Sequence, residues 1–285
     1  MRYLSLVGLH RNAKHCGAGT LTDMPDRRLI RLLRSAHPER AGLDTAISHA
    51  LLAQVGSGEV GETLRLFVPG RVVAFGRQDT SRPGYPKAAN AAREAGFAAV
   101  ERLAGGRAAL FHEATLAFAW AIPEAAPRAT IRSRFQEIAE IMAGALKALG
   151  IGARIGEVPN EYCPGPYSVS AGGKRKLMGV GQRLVRRAAH VGGVVVVGGS
   201  GRVRDVLIPV YAALDYQWDP ATSGSIEDEV GPIGLETVAE SIISEFEARY
   251  ELVEGGIGAE TLRLAEQLRR EHLSPGELGA GRANE

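Results

Sequence analysis

The segment ATIRSRFQEIAEIMAGALKALG, residues 129–150, constrains the fold more than any other stretch of this 285-residue chain. Phe135, Ile138, Ile141, Met142, Ala145, Leu146 and Leu149 recur at helical spacing as one apolar stripe, and Gly150 supplies a stop. Such a stripe must be covered, and its neighbours are short β-like runs. Leu64, Leu66 and Val68 alternate with Arg65 and Phe67, Pro69-Gly70 turns, and Val72–Phe75 follows. Two short strands joined by a tight turn are therefore expected over 62–79. An amphipathic helix is expected over 42–59, with Leu43, Ala46, Ile47, Ala50, Leu51 and Val55 on one face and Gly56 as its end. Residues 86–123 read as an Ala-rich helix ending at Gly96, a strand in FAAVERL, a Gly105-Gly106 break and further strands. HVGGVVVVGGSG (190–201) reads as a buried strand, and RDVLIPVYAALD (204–215) follows it with no assigned period. SIEDEVG (225–231) then leads into GLETVAESIISEFEARYEL, a helix carrying Leu235, Val238, Ile242 and Phe246 on one side. A charged helix over 259–272 precedes a Gly-rich polar end. There is no internal repeat and no βαβ period. The order predicts an α+β domain with a mixed or antiparallel sheet flanked by helices.

Charge narrows the partners. Lysine and arginine number 34 against 32 acidic residues, a formal net charge of +2, so wholesale nucleic-acid binding is not indicated. Two arginine clusters, DRRLIRLLR (26–34) and QRLVRRAAH (182–190), interleave with apolar residues as the solvated faces of core elements do. Cys16 and Cys163 are the only cysteines, which speaks against a disulfide framework and for a reducing, cytoplasmic compartment. HRNAKHC (10–16) has no second ligand group at metal spacing, so no metal is expected and residues 1–25 read as a polar tail. No signal peptide is recognisable, and no apolar run reaches the roughly 20 residues that span a bilayer.

Three stretches hold chemistry. Arg102-Leu-Ala-Gly105-Gly106-Arg107-Ala108 sets a glycine pair after an arginine, which lets backbone N–H groups approach a ligand beside a cation. It neither opens a helix nor matches a dinucleotide or phosphate-loop fingerprint. GGKRKLMGVGQR (172–183) frames Lys174, Arg175, Lys176 and Arg183 with glycines. Such a loop can bring an ammonium to a developing oxyanion, although a basic surface hairpin has the same composition. Cys163, in the turn YCPGP, would need a nearby cation to act as a nucleophile, and Lys174 or Lys176 could return to it across a hairpin. A lone cysteine is more often a small, inert buried hydrophobe, and on spacing alone that is the expectation for Cys163.

Together, LRLFVPGRVVAFGRQD (64–79), RLAGGRAALFHEATLAFA (102–119) and GGKRKLMGVGQRLVRR (172–187) resemble the lipoate–protein ligase and octanoyltransferase superfamily, with GLDTAISHALL similar to its first helix. The resemblance covers roughly residues 40–255 and implies a biotin–lipoate ligase-like, class II synthetase-like catalytic domain over 26–255, with 256–285 as a C-terminal helix and tail. It implies that Lys176, in KLMG, contacts the acyl carbonyl or its activating group. Arg102, Gly105, Gly106 and Ala108 fall where that family lines its acyl pocket, and Gly179 and Gln182 continue the lysine motif. ATP-dependent members carry a third glycine where this chain has Arg107 and a second arginine where it has Glu101, and their Tyr-His-Asp run is offset by one from Phe111-His112. The resemblance is therefore closest to the cysteine-dependent transferases, whose nucleophile precedes the lysine motif as Cys163 does.

That resemblance implies a chemistry. Cys163 takes an octanoyl or lipoyl group as a thioester while Lys176 and backbone N–H groups hold the oxyanion. The apolar strands at 108–119 and 193–197 would bury the chain, contributing roughly 6 kcal/mol at about 0.8 per methylene. His112 and His190 are the candidate bases for the acceptor amine. The implied donor is a glycine-cleavage H protein or an acyl carrier protein, and the acceptors are lipoyl domains of 2-oxoacid dehydrogenases. Arg186-Arg187 and the lysine loop would meet their acidic surface. No membrane or nucleic-acid partner is implied. No cofactor is needed for transfer; ATP and Mg would be needed by the alternative, an ATP-dependent ligase. A non-catalytic acyl- or carrier-binding homologue is the other alternative. A biotin–protein ligase is disfavoured by the lack of a longer Gly-Arg-Gly-Arg-type loop.

Overall fold

A computed structural model describes residues 27–277. The tail 1–25 with HRNAKHC and Cys16, and most of the polar C-terminal end, lie outside the described residues.

The described residues begin with β1 (Leu29–Leu33), α1 (Leu43–Ser57), β2 (Thr63–Phe67), β3 (Val72–Phe75), the single turn α2 (Arg77–Thr80) and α3 (Tyr85–Glu94). Next come β4 (Ala98–Glu101), β5 (Ala109–Phe111), β6 (Thr115–Pro123), α4 (Ile131–Ala148), β7 (Ala153–Ile155) and β8 (Val169–Ala171). The remainder is β9 (Arg175–Val185), β10 (Ala188–Val196), α5 (Ser200–Ala213), α6 (Ile226–Val230), α7 (Leu235–Glu247), β11 (Glu251–Gly255) and α8 (Ala259–Leu268). An eight-stranded sheet runs β11-β1-β2-β6-β10-β9-β8-β7, and a three-stranded sheet runs β4-β3-β5. The β11-β1-β2 and β3-β4 pairings are parallel and the others antiparallel, so the sheets are mixed as the sequence predicts.

Strand alternation explains how one sheet serves two layers. On β6, Leu116, Phe118, Trp120 and Ile122 join the core beneath α4 and α7, while Ala121 packs with α1 and Ala117 and Ala119 line a cavity. The large residues thus fill one face and the alanines leave room on the other. On β2, Leu64 and Leu66 enter the α4 core, whereas Arg65 lies under α1 and bonds Asp44 at 2.6 Å. Alanines of α3 and the apolar face of α5 cover the small sheet. Among the described residues no helix is long and apolar enough to cross a membrane.

Three expectations change. Strands β2 and β3 do not form a hairpin: β2 has both edges taken, by β1 and β6, and β3 joins the small sheet. Between them, Gly70 packs against the Pro38 carbonyl oxygen, 2.2 Å from where a Cβ would stand, so only glycine fits where the chain passes from one sheet to the other. Helix α1 runs past Gly56 and ends at Gly58, whose φ of 84° is the left-handed cap. RDVLIPVYAALD, unassigned in the sequence, belongs to α5, which has Val203, Val206, Leu207, Val210 and Tyr211 on its buried face despite Pro209 within it.

Candidate active site

Cys163 sits on the loop between β7 and β8, with its backbone at φ 43° and its side chain half-buried. A left-handed backbone is unusual for cysteine and costs on the order of 1–3 kcal/mol, so the surroundings must impose it. Three contacts do. The Cys163 N–H donates to the Tyr211 hydroxyl at 2.8 Å, the sulfur accepts from the Arg107 N–H at 3.2 Å, and the Arg102 guanidinium lies 3.7 Å from the sulfur. Arg102 is itself fixed, donating to the Arg107 carbonyl at 2.9 Å.

Lys176 lies on the other side of the same residue. Its Nζ donates to the Cys163 carbonyl at 2.7 Å, the Tyr162 carbonyl at 2.9 Å and Glu161 Oε1 at 3.1 Å. All three ammonium protons are thereby matched. No hydrogen bond joins it to Sγ among the described residues. The pair is buried, with Lys176 1% and Glu161 2% exposed. Glu161 also accepts from Ser168 Oγ, the Gly165 N–H and the Val158 N–H, so a single carboxylate ties down the loop from 158 to 168. Lys174, the other lysine considered, is exposed in the β8–β9 turn.

Both groups border a cavity of about 120 Å³. Its floor follows from strand register: Phe67, Ala117, Val194 and Gly179 stand in one row across β2, β6, β10 and β9, and Ala119 and Gly192 are partners two residues along. Val72 and Ala74 of β3, with Ala109 and Phe111 of β5, form another wall, and Asp44, Thr45 and Ser48 of α1 another. A trough of alanine and glycine between larger apolar residues suits an extended acyl chain.

Of the residues singled out in the sequence, Arg102, Cys163, Lys176 and Gly179 border this cavity. Gly106 adjoins the thiol: a Cβ there would lie 2.9 Å from Cys163 Sγ, at a φ of 112°. Gly105 faces open space, and Ala108 is fully buried, contributing its carbonyl to the Tyr211 hydroxyl. Gln182 points to the opposite face of the sheet, where it accepts from Arg134 and donates to the Ile131 carbonyl at the start of α4. His112 is buried beside Gly199, away from these walls, and burial, then Arg202, pushes it down to about 4. His190 does border the cavity, and burial, followed by Arg102, pushes it down to about 3. Sequence reasoning missed Glu161, Tyr211 and the Arg107 N–H. A helical period at 203, 206, 207, 210 and 211 was the one available signal for Tyr211. Among the described residues, no three His, Cys, Asp or Glu side chains are grouped to hold a metal ion.

The architecture is that of the lipoate-protein ligases. A lipoate-protein ligase A solved with ATP superposes with a TM-score of 0.67 at 19% identity, covering 87% of this chain and 95% of that one. A bipartite lipoate protein ligase of Thermoplasma acidophilum, from an archaeal lipoylation system that includes its E2 lipoyl domain, gives 0.66 at 18%, covering 86% and 92%. The family model for the lipoyl protein ligase A/B catalytic domain matches residues 42–247, and the chain belongs to that family. Among curated relatives, the octanoyl-GcvH:protein N-octanoyltransferase of Geobacillus kaustophilus is 33% identical over 172 residues, 60% of each chain. That of Anoxybacillus flavithermus is 32% identical over 56% of this chain and 57% of its own. The lipoyl-GcvH:protein N-lipoyltransferase of Listeria monocytogenes is 25% identical, over 57% and 58%. The chain thus spans about 60% of the length of the curated relatives it matches.

Proposed function

We propose that this protein is an acyltransferase that moves an octanoyl or lipoyl group from a carrier protein to the lysine of a lipoyl domain, through a thioester on Cys163. The observation that carries the reading is the Cys163 thiol held against the Arg107 N–H and Arg102 beside an apolar trough. The names of its relatives support octanoyl or lipoyl as cargo and the glycine-cleavage H protein as donor.

The Cys163 thiolate attacks the carbonyl carbon of the donor's acyl-lysine amide. The C–N bond then breaks, the released lysine takes up a proton, and the S–C bond of the thioester remains. The acceptor lysine, as free amine, attacks that carbon and gives up one N–H proton to solvent; the C–S bond breaks and the thiolate is restored. One amide is exchanged for another, so the energy of ATP is not required. The donors closest to the sulfur are the Arg107 N–H and Arg102, and we assign them the oxyanion. Lys176 holds the nucleophile's own carbonyl and so keeps the loop in register. His190 borders the trough and His112 does not, but burial pushes His190 down to about 3, too weak a base for the acceptor amine, so neither histidine is assigned that role.

Intact-mass measurement after incubation with octanoyl H protein, without ATP, tests this. An octanoyl adduct is expected on the wild type and none on Cys163→Ala. An acylated acceptor formed only from free acid with ATP would select the ligase chemistry instead, and a wild type that never acquires the adduct or acylates an acceptor would select a binding module.

A further inference from the structure

Tyr211 belongs to α5, an element that the acyl-transfer reading does not use. Its hydroxyl joins two parts of the candidate site: it accepts the Cys163 N–H at 2.8 Å and donates to the Ala108 carbonyl at 2.9 Å. The first bond holds the left-handed Cys163; the second holds the segment that presents the Arg107 N–H to the sulfur. The ring cannot drift, being fully buried and flanked by Tyr216 and Trp218 at centroid distances of 5.6 and 5.4 Å. Burial raises its pKa well above that of an ordinary tyrosine, so the hydroxyl keeps its proton and can serve both bonds.

Cys163 is also followed by Pro164, and a residue before proline is normally driven to extended backbone. The loop left to itself would relax toward that region and swing the sulfur away from Arg102 and Arg107. Resting on the acyl-transfer reading, the geometry points to Tyr211 as a positioning residue, whose hydroxyl locks Cys163 in its left-handed conformation and aims the thiol between Arg102 and the Arg107 N–H. It acts through the backbone and does not touch the acyl group.

Tyr211→Phe removes that one hydroxyl and keeps the ring. In a Cys16→Ser background, so that Cys163 is the thiol observed, alkylation by iodoacetamide is expected to slow roughly tenfold, within what misplacement of a reacting group costs. In the octanoyl-transfer assay kcat is expected to fall by a similar factor, with KM for donor and acceptor within about twofold. Val206→Ala, on the same buried face of α5 but away from the hydroxyl, should lower stability while leaving alkylation and kcat unchanged. If Tyr211→Phe alkylates and transfers at wild-type rates, or if Val206→Ala slows both as much, the positioning role is overturned. Should Tyr211→Phe not fold, amide exchange in the wild type decides: a protected Cys163 N–H is expected, and exchange at the rate of an open loop overturns the proposal. Slowed alkylation in Tyr211→Phe alongside a wild type that never forms an acyl adduct would sink the transferase reading and leave the positioning role standing.

Discussion

Cys163, Gly106 and Lys176 owe their arrangement to different forces, and each can be perturbed alone. Gly105 and Gly106 look equivalent in the sequence, but only Gly106 has a positive φ and a thiol where its Cβ would stand. Gly106→Ala should therefore displace Cys163 Sγ and cut adduct formation at least tenfold, whereas Gly105→Ala should stay within about twofold; intact-mass time courses distinguish them. The Lys176–Glu161 pair is fully enclosed. Lys176→Ala strands a buried carboxylate and should cost about 3–5 kcal/mol in urea unfolding, with Lys176→Ala/Glu161→Gln losing less than the sum of the two. His190 makes a pH prediction. Its folded pKa, about 3, lies below the ordinary 6.5, so between these values the unfolded chain binds a proton that the folded chain refuses. The stability gained by keeping it neutral is complete above pH 6.5 and is lost as pH falls toward 3. His112, near 4, has the same sign; Glu62, pushed up to about 7 by burial, has the opposite one. His190→Gln should thus lose less stability than wild type between about pH 7.5 and about pH 4.5. Equal losses in the two proteins would refute it.

Helices and strands differ in how much of them local pattern reveals. The stripes of α1, α4 and α7 are legible because helical packing repeats over neighbours in the chain. The end of α1 reads two residues early, at Gly56 instead of Gly58, since a glycine's φ is set by the cap and not by its identity. A methyl group on Gly58 would meet no atom within 4 Å, so Gly58→Ala isolates the backbone cost. About 1 kcal/mol is expected by urea midpoint, against little or no loss for Gly61→Ala, which is equally open but lacks the positive φ. Alternation in β2 is also legible, but alternation names two faces without naming the partners of either edge. That is why β2 and β3 read as a hairpin. It is also why Gln182, one residue from Gly181 beneath Arg102, groups with the site in the sequence although its side chain serves α4.

At the scale of the molecule, the segment after residue 255 is bound into the fold at many points. Helix α8 packs on α1 with Ala265 fully buried, His272 Nδ1 donates to the Glu101 carbonyl while its other ring nitrogen pairs with His49, and the Ser274 N–H bonds the Ala99 carbonyl. We propose that 256–277 is part of the catalytic unit. A chain ended at Gly255 would uncover two or three apolar side chains at about 1.5–3 kcal/mol each, lowering Tm by roughly 10–20 °C; an unchanged Tm would restore the boundary at 255. The α+β class and the principal helices were readable along the chain, because propensity and periodicity are properties of a residue and its near neighbours; the thiol, the lysine and the glycine pair were visible too, but only the family resemblance grouped them into one expected site. Three further outcomes came from closure of the chain: β2 and β3 part company, Lys176 grips the carbonyl of Cys163 while Arg102 and Arg107 meet its sulfur, and Tyr211, 48 residues away, holds the nucleophile's N–H. They depend on which distant edges and buried donors find partners once the chain has closed on itself, and no local pattern encodes that pairing.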